Sequence, residues 1–198
     1  GAVIVDPIHD KFIYKKGVPR RFAKASIEIA KDLDATVVVA RDGKTFTYSY
    51  NKDIEYVLSF GDPYPVFLDD LNLSLSRLPS HIMIITYNDI EKFHLVDQRL
   101  QEHLKDKVTI AKSSPFYIEV VNRSVSKGNG LKKVSNLLGI KKDEIIAIGD
   151  GENDISMFEY AGFSVAMGNS SERVKSKATD ITDECQNDGA ARVLAKLF

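Results

Sequence analysis

The sequence predicts an α/β fold in two parts, with a boundary near residues 122–124. Before this boundary, strand-like runs rich in Val, Ile, Thr and Tyr alternate with two clear helical patterns, which is typical of an α+β or α/β layer. After it, short strands and helices alternate regularly, which is typical of a parallel sheet covered by helices. The 198 residues include 43% hydrophobic and 28% charged side chains, the composition of a chain that buries a core.

Local spacing predicts the elements of the first part. Pro19 stands where a helix tolerates proline, at its first turn, and apolar residues follow at three- and four-residue steps. Asp42-Gly43 is typical of a hairpin turn between two strands. Asn88 is predicted to cap a helix that runs to Leu104. The remaining predicted elements are strands or extended segments at 1–5, 35–40, 45–50, 65–68, 81–86, 107–111 and 116–121, and a short helix at 51–59.

The second part begins with a helix that Ser126 is predicted to cap and that ends at Gly139. A buried strand follows at 144–149, and Gly162 is expected to end the next helix, at 155–161. The remaining predicted elements are strands at 163–167 and 180–182 and helices at 171–177 and 189–198.

Charge and composition exclude several classes of protein. With 27 Lys and Arg against 28 Asp and Glu, the chain has no bulk basic surface, so we expect neither a nucleic acid nor a membrane as partner. No apolar run approaches the ~20 residues that span a bilayer. Cys185 is the single cysteine and no signal-peptide pattern is present, which makes the cytoplasm the expected location.

An acidic loop, residues 150–154, follows the strand at 144–149. Ligands of open parallel sheets bind beyond the carboxyl ends of the strands. Asp150 and Asp154 are therefore candidates to bind a hard cation such as Mg²⁺, which takes oxygen ligands and usually one or two protein carboxylates. The alternative is a plain turn in which Asn153 or Asp154 caps the next helix, because Gly, Asn and Asp form turns for local backbone reasons.

Better-known loop patterns do not fit this segment. Asp154 stands where a dinucleotide-binding loop has its third glycine, and an acidic loop repels a pyrophosphate. A calcium-binding EF-hand loop needs glycine and glutamate where this chain has Ile155 and Ala161. The spacing around Gly128 and Gly130 is not that of a P-loop.

Lys127 lies at the amino end of the helix before the acidic strand. Helix amino ends carry partial positive charge, so a cation there is unfavourable by a few tenths of a kcal/mol unless an anion lies nearby. A bound phosphate would supply that anion. The alternative is a solvated surface lysine, which is the commonest fate of this residue type.

Other polar residues are expected to be structural. Asn169, after the strand at 163–167, is predicted either to hold the acidic loop or to cap the following helix. Cys185 has no identifiable base partner. The histidines show no ligand-like spacing, so we expect surface or core roles for His9, His81, His94 and His103.

Four motifs occur in order over residues 124–198. They are Ser126-Lys127-Gly128, Gly149-Asp150-Gly151-Glu152-Asn153-Asp154 with Met157 behind it, Val165-Ala166-Met167-Gly168-Asn169, and Asp188-Gly189. The ordered set resembles the haloacid dehalogenase-like phosphatases, in particular their Cof-type branch. This resemblance implies a Rossmannoid parallel-sheet core, with its C-terminal part at 122–198, and an inserted α/β cap domain at 1–121 that sets substrate identity.

The resemblance also implies an activity and residue roles. The expected function is a Mg²⁺-dependent phosphatase that hydrolyses small phosphorylated metabolites, such as sugar phosphates, through an aspartyl-phosphate intermediate. Lys127 would be catalytic and contact the phosphoryl group, Asn153 would contact the substrate phosphate, and Asp150 and Asp154 would serve the metal. A metal and a lysine suit this chemistry because phosphoryl transfer spreads negative charge over oxygens that fixed cations stabilise.

One departure concerns the nucleophile. In the family it is an aspartate of a D-x-D-G-T motif, and this sequence contains no such motif. We therefore expect that the natural protein continues upstream, where the nucleophile would lie, and that the 198 residues alone are inactive. Two alternatives stay open: a phosphomutase-like phosphotransferase, and a non-catalytic member that binds a phosphorylated ligand or a protein partner.

Overall fold

The computed structural model describes residues 1–9 and 11–197. Contacts divide the chain into two compact units. The first unit is Ala2–Val125, and the second unit is Gly1 together with the described residues from Ser126 onward. The predicted α/β class is confirmed, because each unit combines strands with helices that pack on them. The roles of cap and core stay predictions.

The first unit is built on a six-stranded sheet and a separate hairpin. Its elements are β1 (Val3–Asp6), β2 (Lys11–Lys15), α1 (Arg20–Asp32), β3 (Thr36–Arg41), β4 (Lys44–Thr47), α2 (Lys52–Leu58), β5 (Val66–Phe67), a 3-10 helix (Leu71–Ser76), β6 (His81–Ile85), α3 (Ile90–Leu104), β7 (Val108–Ser114) and β8 (Tyr117–Asn122). The strands of the large sheet lie in the order β5-β4-β3-β6-β8-β7. Neighbouring strands in it are antiparallel except for the parallel pair β4–β5, and β1 and β2 form the antiparallel hairpin.

The two faces of this sheet carry different cores. Side chains alternate along each strand, so Val37 and Val39 of β3 pack with α1 and α3 in the main core. Val38, between them, packs on the other face with Ile54 and Val57 of α2. Helices α1 and α3 therefore cover one face of the sheet, and α2 covers part of the other.

The predicted cap of α3 is wrong by one residue. Asp89 is the cap, since its Oδ1 atom accepts a hydrogen bond from the Lys92 backbone N–H at 2.9 Å. Asn88 lies one residue earlier with a left-handed backbone, φ 61°. Asparagine tolerates that conformation better than most residues, so the same polar character serves a turn and not a cap.

The elements of the second unit are α4 (Lys127–Leu138), a 3-10 helix (Lys142–Glu144), β9 (Ile146–Gly149), a 3-10 helix (Glu152–Asp154), α5 (Ile155–Phe158), β10 (Phe163–Ala166), α6 (Glu172–Lys175), β11 (Asp180–Ile181), a 3-10 helix (Cys185–Asn187) and α7 (Gly189–Leu197). The strands form a parallel sheet in the order β11-β10-β9, which confirms the predicted parallel sheet. Ser126 caps α4 through Oγ, and Gly139 ends that helix with φ 69°, as predicted. Phe198, the last residue of the predicted terminal helix, lies outside the described residues.

The register of the second sheet places two loops together. Gly149, the last residue of β9, is paired with Ala166, the last residue of β10. The acidic loop and the turn that follows β10 therefore leave the sheet at the same carboxyl edge. Across the described ranges, no helix has the length and apolar character needed to cross a bilayer.

Candidate functional site

The acidic loop is closed on itself by the side chain of Asp154. This residue is 3% exposed, and its Oδ2 atom accepts hydrogen bonds from the backbone N–H groups of Asp150 and Gly151, each at 3.0 Å. A buried carboxylate needs such donors, because an unpaired buried charge is strongly unfavourable. Asp154 therefore does not cap helix α5 through its side chain; it holds the loop that precedes it.

Lys127 contacts the other oxygen of the same carboxylate. Its Nζ donates to Asp154 Oδ1, while the lysine side chain remains 46% exposed. The anion beside this helix amino end is thus a carboxylate of the chain itself, whereas the sequence argument had suggested a bound phosphate. An ammonium group has three hydrogens, so Lys127 keeps donor capacity for a ligand.

Two opposing effects set the pKa of Asp154. Burial by itself would raise the pKa of this carboxyl group. The hydrogen bond from Lys127, the two amide hydrogen bonds and the lysine charge outweigh burial, and the pKa lies below its ordinary value. Asp154 is therefore ionised at neutral pH and pairs with a cationic Lys127.

Two glycines allow the elements of the site to approach closely. A Cβ atom on Gly128 would overlap with the backbone carbonyl of Ser156 in α5. A Cβ atom on Gly149 would lie 2.6 Å from the Cβ of Asp154, a distance that real side chains do not show. The absence of a side chain at both positions lets α4 rest on α5 and lets Asp154 fold back over the end of β9.

The remaining predicted site residues, Asp150 and Asn153, are exposed in the same loop. Within residues 1–9 and 11–197, no hydrogen bond or ion pair engages the Asp150 carboxylate, so it is free to bind a ligand. All four predicted residues thus lie in one site: Lys127 and Asp154 in direct contact, Asp150 joined to Asp154 through its amide, and Asn153 beside them.

Neighbouring side chains restrain the acidic loop, and sequence reasoning missed them. Glu152 forms an ion pair with Arg173, with 3.1 Å between Oε2 and Nε, and accepts a hydrogen bond from Ser171 Oγ at 3.4 Å, which links the loop to α6. Ser156 bonds to both the loop and α4. Glu152 lies in one of the four motifs, but Ser156, Ser171 and Arg173 do not. The contacts that they make with the loop and with α4 depend on how the chain folds, so no local signal indicated them.

The two roles predicted for Asn169 are both wrong. Its Oδ1 atom accepts a hydrogen bond from the backbone N–H of Cys185 at 3.0 Å, which anchors a later turn of the chain. The cap of α6 is instead Ser171, whose Oγ accepts from the Val174 N–H at 3.3 Å. Asn169 therefore acts on the backbone downstream of β11 and not on the acidic loop.

The donors of this loop fit Mg²⁺ better than a metal that needs many protein ligands. In the part of the chain that the structure describes, no three His, Cys, Asp or Glu side chains form a group that could hold a metal ion. Magnesium usually takes one or two protein carboxylates and keeps waters in its other positions. The free, exposed carboxylate of Asp150 satisfies that requirement.

The first unit contains a cavity of its own, of about 580 Å³. Burial lowers the pKa of the His81 imidazole in this cavity, although the nearby charges of Glu119 and Asp62 oppose that effect. The imidazole is therefore neutral at pH 7, and one of its ring nitrogens is a hydrogen-bond acceptor. The cavity is lined by, among others, Lys15, Asp62, His81, Met83, Tyr117 and Glu119.

Comparison with known proteins connects this geometry to a family. The family described as haloacid dehalogenase-like hydrolase matches residues 1–194. The phosphoglycolate phosphatase of Methanosarcina acetivorans is 28% identical over 166 residues, which cover 79% of this chain and 70% of that protein. The 5-amino-6-(5-phospho-D-ribitylamino)uracil phosphatase of Bacillus subtilis is 42% identical over 87 residues, 43% of this chain and 32% of that protein.

Solved structures show the same architecture. A haloacid dehalogenase-like hydrolase from Bacteroides thetaiotaomicron matches with a TM-score of 0.87 and 26% identity, over 100% of this chain and 74% of that one. A Thermotoga maritima protein matches with a TM-score of 0.83 and 29% identity, over 99% of this chain and 73% of that one.

Two further curated relatives, from Streptococcus pyogenes and Bacillus subtilis, are matched over 45% and 47% of their length, so the chain spans about half of these proteins.

Proposed function

Because the chain belongs to the haloacid dehalogenase-like hydrolases, we propose that it carries the metal-binding and phosphate-binding half of a Mg²⁺-dependent phosphatase. The proposed substrates are small phosphorylated metabolites. One observation carries the proposal: the Lys127–Asp154 pair lies at the carboxyl edge of a parallel sheet, beside the free carboxylate of Asp150. A fixed cation and a metal-binding carboxylate next to each other suit a phosphate dianion.

In this proposal Lys127 binds the substrate phosphate. Its Nζ is held by Asp154 at one hydrogen, which fixes its position and leaves the others for phosphate oxygens. A preorganised cation stabilises the negative charge of a transferring phosphoryl group without reorganising during the reaction. Asn153, exposed in the same loop, has an amide N–H₂ that could donate to the same oxygens, and we propose it as a second phosphate contact.

We propose that Asp150 holds Mg²⁺. The metal, when bound, would neutralise phosphate charge and polarise the phosphorus–oxygen bonds. Direct binding by Asp154 stays a prediction. Both of its oxygens already accept hydrogen bonds, so its contribution from this position is to keep Lys127 and the amides of the acidic loop in place.

The chemical step proposed for the family passes through an aspartyl-phosphate, and its nucleophile belongs to a D-x-D-G-T motif that the 198 residues do not contain. The residues of this chain would therefore bind and orient the phosphate ester, and not attack it.

A cytoplasmic location of the protein stays an expectation from the sequence.

We propose that the first unit selects the substrate, as the cap of the family does. Its cavity offers carboxylates at Asp62 and Glu119 and a neutral imidazole at His81, which are acceptors for hydroxyl groups. These acceptors would bind the hydroxyl groups of a sugar phosphate, and apolar side chains such as Val5, Phe12 and Met83 line the rest of the cavity. One solved relative of the same fold, at 20% identity, is a sugar phosphatase.

A binding experiment tests the metal site on this chain. Titration with Mg²⁺, followed by amide NMR signals, is expected to shift the signals of residues 150–154 in the wild type. Asp150→Asn is expected to abolish these shifts, because a site with one or two protein carboxylates cannot lose one. Asp143→Asn, another exposed aspartate of the second unit, is the control and is expected to bind like the wild type. Unchanged binding by Asp150→Asn would refute the metal role.

An activity experiment separates the proposed function from its alternatives. The product of the complete reading frame is expected to hydrolyse p-nitrophenyl phosphate and members of a sugar-phosphate panel only with Mg²⁺. Transfer of phosphate to a second sugar hydroxyl, without release to water, would indicate a phosphotransferase. An absence of metal-dependent turnover would favour a non-catalytic protein that binds a phosphorylated ligand.

A further inference from the structure

A single hydroxyl group joins the acidic loop to helix α4. Ser156 Oγ accepts a hydrogen bond from the backbone N–H of Gly128 at 3.0 Å. The same atom donates its proton to the backbone carbonyl of Asn153 at 3.2 Å. The directions are fixed, since an amide N–H can only donate and a carbonyl can only accept.

The bond to Gly128 satisfies a donor that the helix itself cannot. N–H groups in the first turn of an α-helix have no intrahelical partner. In α4, Ser126 Oγ accepts from the Asn129 N–H, and Ser156 accepts from the Gly128 N–H. Ser156 is thus a second cap of α4, supplied by another helix.

The two bonds of Ser156 end next to both members of the ion pair. Gly128 directly follows Lys127, and Asn153 directly precedes Asp154. The backbone contact between Gly128 and Ser156 fixes the same junction sterically, because no side chain fits between them. The start of α4 and the acidic loop are therefore held together on one atom.

We propose that Ser156 is a positioning residue, which sets the place of Lys127 relative to the acidic loop before any ligand binds. It touches neither metal nor phosphate in this role. Its effect on phosphate affinity rests on the proposed function, whereas its effect on the loop does not.

Within the described part of the chain, Ser176 makes the same local hydrogen bond as Ser156 but no bond to another helix. It therefore serves to separate the effect of the local bond from that of the bond to α4. Ser176 Oγ donates to the carbonyl of Arg173, three residues earlier, at 2.8 Å, just as Ser156 Oγ donates to that of Asn153. Both residues belong to the second unit, and Ser156 adds the bond to Gly128. Ser176→Ala is therefore the control for Ser156→Ala.

Amide hydrogen exchange of the wild type and of Ser156→Ala, Ser156→Thr and Ser176→Ala tests the proposal. In Ser156→Ala the amides of Asp150 and Gly151 are expected to exchange about tenfold faster, because the loop loses one of its two links to α4 and keeps only the Lys127–Asp154 bond. Ser156→Thr keeps a hydroxyl and is expected to restore slow exchange, and Ser176→Ala is expected to match the wild type. Affinity for inorganic phosphate in the presence of Mg²⁺ is expected to fall about three- to tenfold in Ser156→Ala alone.

Unchanged exchange at Asp150 and Gly151 in a folded Ser156→Ala variant would overturn the proposal, as would equal acceleration in Ser176→Ala. If Ser156→Ala does not fold, amide exchange in the wild type tests the proposal instead. The Gly128 amide is then expected to be protected from exchange like that of Asn129, and rapid exchange at Gly128 contradicts the proposal. If the wild type binds neither Mg²⁺ nor phosphate, the proposed function fails while the exchange data still decide the role of Ser156.

Discussion

The Nζ atom of Lys127 donates a hydrogen bond to Oδ1 of Asp154, 27 residues further along the chain. The two partners differ in environment: the Asp154 side chain is 4% exposed and the Lys127 side chain 46%. The carboxylate is therefore held by protein donors, while the lysine side chain faces solvent in part. The pair is at once an internal support of the loop and an accessible cation.

Lys127→Met is expected to destabilise the second unit by about 1–3 kcal/mol, because it leaves the buried Asp154 carboxylate with two amide donors and no countercharge. Methionine keeps much of the apolar stem, so the change isolates the charge. The measurement is urea unfolding at pH 7, followed by amide NMR signals of the second unit.

The control for this variant is Lys175→Met. Lys175 pairs with the exposed Glu172, at 3.1 Å, and a surface pair of this kind contributes about 0–1 kcal/mol. Equal losses of stability in the two variants would show that burial of Asp154 adds nothing to the energy of its pair.

The lowered pKa of Asp154 predicts how the stability of the second unit depends on pH. Its ionised form contributes full stability above the unfolded-state pKa, ~3.9 for aspartate, because both states are then deprotonated. As pH falls through the lowered native pKa, the unfolded state already binds the proton and the contribution is lost. The difference in unfolding free energy between wild type and Asp154→Asn is therefore expected to be constant from pH 7 to about 5 and to shrink below about 4. A difference that grows on acidification contradicts the assignment.

Elements with strong local signals could be predicted from the sequence. The Ser126 cap and the Gly139 terminus define α4, and Asp42-Gly43 turns β3 into β4, as expected. Strand β2 was missed because most of its residues are exposed, which removes the alternation that marks a half-buried strand. The 3-10 helix Leu71–Ser76 was missed because its buried leucines follow no helical stripe long enough to detect.

The sequence could predict which residues lie close to one another in the site, but not which hydrogen bonds join them. Charge type and strand position predicted a cation site at Asp150 and Asp154, and the resemblance to the family added Lys127 and Asn153. The structure brings these four residues close to one another. The partner of Lys127 depends on how α4 packs on α5, and that packing depends on a glycine 28 residues from the serine it contacts. Local spacing carries no information about contacts between residues this far apart along the chain. The sequence therefore did not indicate a role for Ser156.

Gly128→Ala is expected to destabilise the second unit by about 2 kcal/mol or more, since its Cβ would overlap with the carbonyl of Ser156 and force α4 away from α5. The sign of the stability change shows whether the overlap is present. Alanine is a better helix former than glycine by about 1 kcal/mol, so without the overlap this change would stabilise the protein. Thermal unfolding of the two proteins, with Mg²⁺ affinity measured in parallel, checks the prediction.

Gly139→Ala is the control for this steric effect. No atom lies within 4 Å of a Cβ built there, but its φ of 69° is left-handed, so the expected cost is about 1 kcal/mol from backbone strain alone. Mg²⁺ affinity should not change, because Gly139 lies at the far end of α4. A loss of metal affinity in Gly139→Ala equal to that in Gly128→Ala would show that general stability, and not the α4–α5 contact, governs the site.

Gly149→Ala tests the fold of Asp154 over the end of β9. Its Cβ would lie 2.6 Å from the Cβ and 2.7 Å from the Cγ of Asp154, so the carboxylate has to leave the amides of Asp150 and Gly151. In a strand, alanine is otherwise more favourable than glycine by about 0.5–1 kcal/mol, so a loss of stability identifies the clash. We expect faster amide exchange at residues 150 and 151 and a rise of the Asp154 pKa towards its ordinary value, both measured by NMR. Wild-type exchange at these two amides would mean that the loop keeps its shape without the carboxylate, and that Gly149 serves another purpose.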